Sequence, residues 1–281
     1  MATAAPDAVN YWPDSKCARA FWDQCEAPAY QQLLADTTAL LEPQPGDRWL
    51  DLGCGRGMLS RALWQKSGGT VAEIVGLDCA ADNARAYERL RTQVRPTATA
   101  DRLRFVCADF SAGLAAWSDA SFDGVVSGLA IQYAESYSQE LGRWTMAAYD
   151  HLLTEVHRLL RPGAAFVFSV NVPEPAWARV AWRSLPGLLR IPRRVRFLKR
   201  SLRMLRYGRW LKQEARRGRF HYLPIEAIVN KLQAIGFDRI EHRLSFVGQA
   251  YLLRCHKPNS MAQGQLSVPP PDLLCRVPAD G

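Results

Sequence analysis

The chain has 281 residues, 48% of them hydrophobic and 22% charged, and carries a formal net charge of +9. That composition supports one large or two small folded units and excludes a chain disordered throughout. No run approaches the ~18 consecutive apolar residues of a membrane span, and Met1 to Asn10 have neither a basic n-region nor an apolar h-region, so a cytoplasmic protein is the expectation. The charge is unevenly spread. Residues 190–219 hold thirteen Lys or Arg against one acid, Glu214, a balance of +12, so the remainder carries −3. The seven cysteines (Cys17, Cys25, Cys54, Cys79, Cys107, Cys255, Cys275) form no CxxC pair and point to neither a disulfide framework nor a metal site. Cys54, Cys79 and Cys107 fall at strand ends, as small semi-buried residues do.

The first forty residues read as a helical lead-in with Tyr11, Trp12, Phe21, Trp22 and Tyr30, punctuated by Pro43-Gln44-Pro45-Gly46. Arg48 to Leu52 then reads as a buried strand, followed by a glycine loop and a helix bearing Met58, Leu59, Ala62 and Leu63, which Gly68-Gly69 stops. Further strands are expected at Ala72–Leu77, Leu103–Cys107, Phe122–Ser127 and Ala164–Val170. Asp82 is placed to cap a helix carrying Ala86, Tyr87 and Leu90. A long helical pattern spans Leu141 to Leu160 and is ended by Arg161-Pro162-Gly163 as a stop and tight turn. Phe237–Phe246 and Gln249–His256, joined by Val247-Gly248, suggest an antiparallel hairpin. Strands alternating with helices imply an α/β fold, a parallel sheet with helices on both faces. From Pro258 the chain has few large apolar residues and a Pro269-Pro270-Pro271 run, the composition of a disordered tail.

Glycines after the first strand let the backbone approach a cofactor, because no side chain intervenes. A dinucleotide loop, GxGxxG, needs its third glycine at position 58, where Met58 stands. This loop reads GxGxG, with Asp51 two residues before Gly53. Asp78 ends the second strand, 21 residues beyond Gly57, where a carboxylate can accept both hydrogen bonds of a ribose diol. Asp109-Phe110 ends the third strand, where an adenine would lie.

Trp49-Leu50-Asp51-Leu52-Gly53-Cys54-Gly55-Arg56-Gly57, Gly76-Leu77-Asp78, Cys107-Ala108-Asp109-Phe110, Phe122-Asp123-Gly124-Val125-Val126-Ser127 and Leu159-Leu160-Arg161-Pro162-Gly163 occur in this order. Together they resemble class I methyltransferases dependent on S-adenosyl-L-methionine (SAM). The likeness is to the methyltransferase type 11 group that includes quinone-biosynthesis C-methyltransferases. It covers roughly residues 20–256. It implies a Rossmann-like, doubly wound seven-stranded sheet ordered 3-2-1-4-5-7-6 with the last strand antiparallel. Residues 1–258 would form one SAM-dependent methyltransferase domain, with a lid insertion at about 171–224 and a tail over 259–281. The resemblance also implies roles. Gly53 and Gly55 would pass under the methionine part of SAM, with Asp51 near its amino group. Asp78 would hold the ribose, Asp109 and the Phe110 backbone the adenine, and Ser127 would lie by the methionine end.

Methyl transfer from a sulfonium needs a general base only when the acceptor is still protonated. Tyr133, His151, His157 and the pair His221-Tyr222 are the candidates, with His221-Tyr222 the best placed to line a pocket, and no catalytic residue is assigned. Enzymes that methylate base amines carry an Asn/Asp-Pro-Pro-aromatic motif where this chain has Ser127-Gly128-Leu129-Ala130, and the paired-glutamate loop of protein-arginine methyltransferases is missing. Both departures favour a small-molecule acceptor. Inside the insertion Val195, Leu198, Leu202 and Leu205 share one helical face, and Arg196, Lys199, Arg200, Arg203 and Arg206 another. This is compatible with a solvated lid, with peripheral contact to an anionic membrane, or, less favoured, with nucleic acid in an RNA methyltransferase. A non-catalytic SAM-binding protein is the alternative of a different class.

Overall fold

Successive residues of a strand point to opposite faces, and here that alternation divides the core in two. In a computed structural model, which describes Trp12 and residues 27–94, 102–177, 179–180, 182 and 207–259, β1 (Arg48–Leu52) sends Leu50 and Leu52 to one face and Trp49 to the other. The same division runs through β2 (Glu73–Asp78), β4 (Phe122–Gly128), β7 (Leu160–Asn171) and β9 (Ala250–His256). One face is covered by α4 (Ala147–Leu159) and α5 (Ile225–Ile235), through Leu152, Val156, Ile228 and Leu232. The other is covered by α2 (Met58–Lys66) and α3 (Asp82–Gln93), through Leu59, Leu63, Tyr87 and Leu90, with α1 (Pro28–Leu40) packed alongside.

The sheet runs β3-β2-β1-β4-β7-β9-β8, where β3 is Leu103–Cys107 and β8 is Asp238–Ser245. A separate antiparallel ribbon pairs β5 (Ser136–Ser138) with β6 (Arg143–Thr145). Set aside that ribbon and the order is the expected 3-2-1-4-5-7-6, with β9 antiparallel to both its neighbours. Exposed charges on the edge strand β8 (Asp238, Arg239, Glu241, Arg243) blunt it against pairing with other chains.

Three local expectations differ. The helix expected from Leu141 begins at Ala147, because Tyr137 and Trp144 pair across the ribbon (rings 5.2 Å apart). Arg161-Pro162-Gly163 is no turn: β7 starts at Leu160, and these residues bulge out between the Leu160–Phe122 and Ala165–Gly124 pairs. Pro162 fits there because a bulge needs no ladder N–H from it. Asp82 is the first residue of its helix rather than the cap, which is Ala81. Of the lead-in, helix Pro28–Leu40 is present, while the face expected around Val195–Arg206 and the tail from 260 lie outside the described residues.

Trp49 on β1 sits under Gly124 on β4, and a Cβ at Gly124 would fall 2.5 Å from the Trp49 ring. Trp49 is buried and cannot swing clear. Gly124→Ala is expected to destabilise the fold by ~1–3 kcal/mol through overpacking; an unchanged urea midpoint would show that the β1–β4 contact is looser than this.

Candidate functional site

In a parallel sheet of this kind, ligands bind beyond the carboxyl ends of the strands. Those ends carry Asp51 and the glycine loop after β1, Asp78 on β2, Asp109 after β3, Ser127 and Gly128 on β4, and Asn171 on β7. At the opposite edge a cleft of about 300 Å³ is lined by charges that already pair, Arg254 with Glu42 and Arg161 with Asp123.

The loop turns back on itself through positive φ at Gly53 (67°), Gly55 (51°) and Gly57 (77°). Both the Gly53 and Cys54 amides donate to the Leu77 carbonyl, at 2.8 and 3.0 Å, which ties the loop to the end of β2. The first two glycines do different work. A Cβ at Gly53 would collide with the Cβ of Ala130, in the turn after β4, whereas a Cβ at Gly55 would meet nothing within 4 Å. Gly53 therefore permits packing, and Gly55 presents bare backbone to open space.

Asp78 joins this loop directly. One carboxylate oxygen accepts the Gly55 amide at 2.9 Å and the other the Ala80 amide at 2.9 Å. Burial pushes its carboxyl up, and hydrogen bonds from Ala80, Asn83 and Gly55 oppose that shift. Asp51 lies beneath, 1% exposed. Its Oδ2 accepts the Ser60 amide (3.0 Å) and hydroxyl (2.6 Å), while Oδ1 is buried without a donor. Burial raises its carboxyl to about 7, against the pull of the Ser60 bonds. Asp109 accepts the Ser111 amide at 2.8 Å and so starts the short turn Phe110–Ala112. A Cβ at Gly53 would also lie 3.5 Å from the Phe110 ring, which places Phe110 beside the loop. Ser127 is fully buried, and its hydroxyl donates to the Leu52 carbonyl at 2.8 Å. Its side chain thus fastens β4 to β1 at the loop's base.

The base candidates separate. His151 lies on the exposed side of α4 against Gly113, and His157 packs edge-on against Phe237 (4.9 Å) near the far edge of the sheet. Residues 220–222 alternate as extended chain does. Phe220 and Tyr222 join an aromatic cluster with Tyr133, Leu211 and Trp12, while His221 turns the other way. There its Nε2 donates to the Ala134 carbonyl at 2.9 Å beside Tyr149. Burial lowers the His221 pKa, so it is a neutral structural group at pH 7. Tyr133, in the turn Ile131–Tyr133 after β4, and Tyr222 meet with their hydroxyls 3.1 Å apart. Asn171, which no sequence pattern singled out, donates from Nδ2 to the Tyr133 hydroxyl at 3.4 Å. The basic stretch 207–219 reaches this site too, through a buried ion pair of Arg219 with Glu135 (2.9 Å).

Comparison with known proteins agrees with this architecture. Residues 50–168 match the family described as "Methyltransferase domain". A 24-methylenesterol C-methyltransferase 2 from Oryza sativa subsp. japonica is 33% identical over 138 residues, 49% of this chain; the match spans 32% of that relative's length. A chain from the Haloferax volcanii complex between the Trm112 methyltransferase activator and a methyltransferase superposes with a TM-score of 0.58 at 20% identity, over 90% of this chain and 98% of that one. An S-adenosylmethionine-dependent methyltransferase from Mesorhizobium loti superposes at 0.51, also at 20% identity, over 79% and 96%.

Because the folded state holds the Asp51 proton more tightly than the unfolded chain, its contribution to stability falls as pH rises from the unfolded carboxyl value of ~3.9 to about 7, then levels. Asp51→Asn removes that loss. Its stability relative to the parent should rise between pH 5 and 8 by an amount on the order of 2–3 kcal/mol; parallel urea-midpoint profiles for the two proteins would contradict the assignment. With strand order, glycine loop and strand-end acids in agreement, the chain has the fold of class I methyltransferases, and its residues 50–168 match a methyltransferase domain.

Proposed function

We propose that this protein transfers the methyl group of SAM to a small, lipophilic acceptor. The observation that carries the cofactor half is the juxtaposition of Gly55, open to solvent, with the carboxylate of Asp78 that holds its amide. An adenosyl ribose laid on that backbone meets a carboxylate already oriented towards it. Asp109 and the Phe110 backbone stand one strand further on for the adenine. On the other side, the Gly53–Gly55 turn, bare at Gly55, suits the methionine part, with Asp51 below and Ser127 fixing the end of β4. The donorless Oδ1 of Asp51 is a buried acceptor fitted to a cation such as an ammonium group.

SAM supplies an activated methyl on a sulfonium, so the chain's own part is largely to hold and align the reactants, an effect able to contribute ~7–11 kcal/mol. The acceptor half rests on the aromatic cluster of Tyr133, Phe220, Tyr222 and Trp210, in which no unpaired charge is found among the described residues. The similarity to a sterol C-methyltransferase supports a lipophilic acceptor as well. A membrane would supply such an acceptor, and the composition of the insertion supports that contact. Trp182 is 74% exposed just ahead of the +12 stretch at 190–219, and each cation near an anionic bilayer contributes ~1 kcal/mol.

Isothermal titration with S-adenosylhomocysteine should give saturable binding, weakened more than tenfold by Asp78→Ala; binding of NAD in its place would refute the cofactor reading. In co-sedimentation, the protein should pellet with phosphatidylserine vesicles, less so as salt rises, and stay in solution with phosphatidylcholine. Retention on RNA with no pelleting on anionic vesicles would favour a nucleic-acid acceptor.

A further inference from the structure

Asp51 is held by a chain of hydrogen bonds that starts on a helix outside the glycine loop. The Tyr87 hydroxyl, on α3, donates to Ser60 Oγ at 3.2 Å. Ser60, on α2, donates to Asp51 Oδ2 from its hydroxyl (2.6 Å) and its amide (3.0 Å). Each hydroxyl owns one hydrogen, so the chain has a fixed direction. Ser60 spends its hydrogen on Asp51, and its oxygen receives the one from Tyr87. Oδ2 is thus occupied by two donors, whereas the buried Oδ1 has none. An added proton or a cationic ligand has one place to go on this carboxylate, and that is Oδ1.

Tyr87 is also fixed in place. It is fully buried, and a Cβ at Gly57 would lie 2.9 Å from its ring. A Cβ at Gly76, which pairs with Asp51 across β1 and β2, would lie 2.5 Å from it. The ring is therefore wedged between loop and sheet, backed by Phe105 at 5.7 Å between ring centres. The titratable groups facing Asp51 are Asp78 on β2, the Cys54 thiol of the loop and Tyr87 itself, none of them a cation. Burial favours the protonated form of Asp51, the Ser60 bonds oppose that, and Asp78 adds to it, which leaves the carboxyl at about 7. Resting on the methyltransferase reading above, we infer that Tyr87 is a positioning residue for the cofactor. Through Ser60 it turns the Asp51 carboxylate so that Oδ1 takes the ammonium of the methionine part, and a proton leaves Oδ1 for solvent as the ammonium arrives. Cofactor binding is thereby linked to the release of a proton.

The probes are S-adenosylhomocysteine and 5′-methylthioadenosine, titrated by calorimetry from about pH 5.5 to 8. The second shares the adenosine half and lacks the amino-acid part, so any titration of Asp78 or Asp109 affects both alike. In the parent protein the preference for S-adenosylhomocysteine should rise about tenfold between about pH 6 and 8, following the ionised fraction of a carboxyl with its midpoint at about 7. Tyr87→Phe keeps the ring beneath the glycines and loses the hydroxyl. It should move that midpoint upward by about half a pH unit, with the affinity for 5′-methylthioadenosine unchanged. Ser60→Ala removes the direct bond and should move it by about one unit or more; it serves if Tyr87→Phe unfolds, which melting curves report. A tyrosine that only fills space would change the melting temperature and leave the midpoint alone. A preference independent of pH in the parent, or an unmoved midpoint in the folded variants, would overturn the inference while cofactor binding stands. Failure of the parent to bind S-adenosylhomocysteine at any pH would refute the methyltransferase reading itself, and this inference with it.

Discussion

Asp78 closes the glycine loop by accepting the Gly55 amide, and the Leu77 carbonyl beside it takes the amides of Gly53 and Cys54. With these bonds made, the backbone after β1 turns through three left-handed positions and stops with its polar edge facing outwards. Only glycine makes that path cheap. Ala130 presses on the loop from the β4 side and Tyr87 packs beneath Gly57, so the turn is fixed by β2, β4 and α3 at once. Binding to a backbone already held in place avoids the entropy of ordering it.

The parallel order of β3, β2, β1, β4 and β7 then sets the rest of the edge. Carboxylates occupy the side of β2 and β3, and neutral groups the side of β4 and β7. A charged, hydrogen-bonding ligand on one side and an apolar one on the other is what such a division accommodates. The insertion's trailing segment preserves it by simple alternation. Arg219 and His221 face Glu135 and the Ala134 carbonyl, and Phe220 and Tyr222 face Tyr133. The basic stretch is thereby anchored through buried, hydrogen-bonded polar groups, and Phe220 and Tyr222 cover the Tyr133 ring.

Much of the glycine-loop edge was legible because its determinants are local. Asp51, Gly53 and Gly55 fall within five residues, and Asp78 and Asp109 each end an apolar strand that reads clearly. The Asp51–Ser60 bond and the burial of the Ser127 hydroxyl were not readable, since each depends on how neighbouring elements meet. The β5–β6 ribbon was hidden because its three-residue strands leave no periodicity, and the helical pattern ran through it. Asn171 ends a buried strand with nothing to distinguish it, and its partner Tyr133 is 38 residues away. His221 and Tyr222 looked equivalent as neighbours. Their opposite orientation follows from the extended backbone of 220–222, which the sequence alone does not reveal.

The central claim is methyl transfer to a small, lipophilic molecule, and following the methyl group tests it most directly. The protein is incubated with SAM labelled on its methyl carbon and a cell extract, which is then separated into organic-soluble, aqueous small-molecule, RNA and protein fractions. The account predicts label in the organic-soluble fraction, lost with Asp78→Ala. Label in RNA or protein, or none above a control without enzyme, would contradict it.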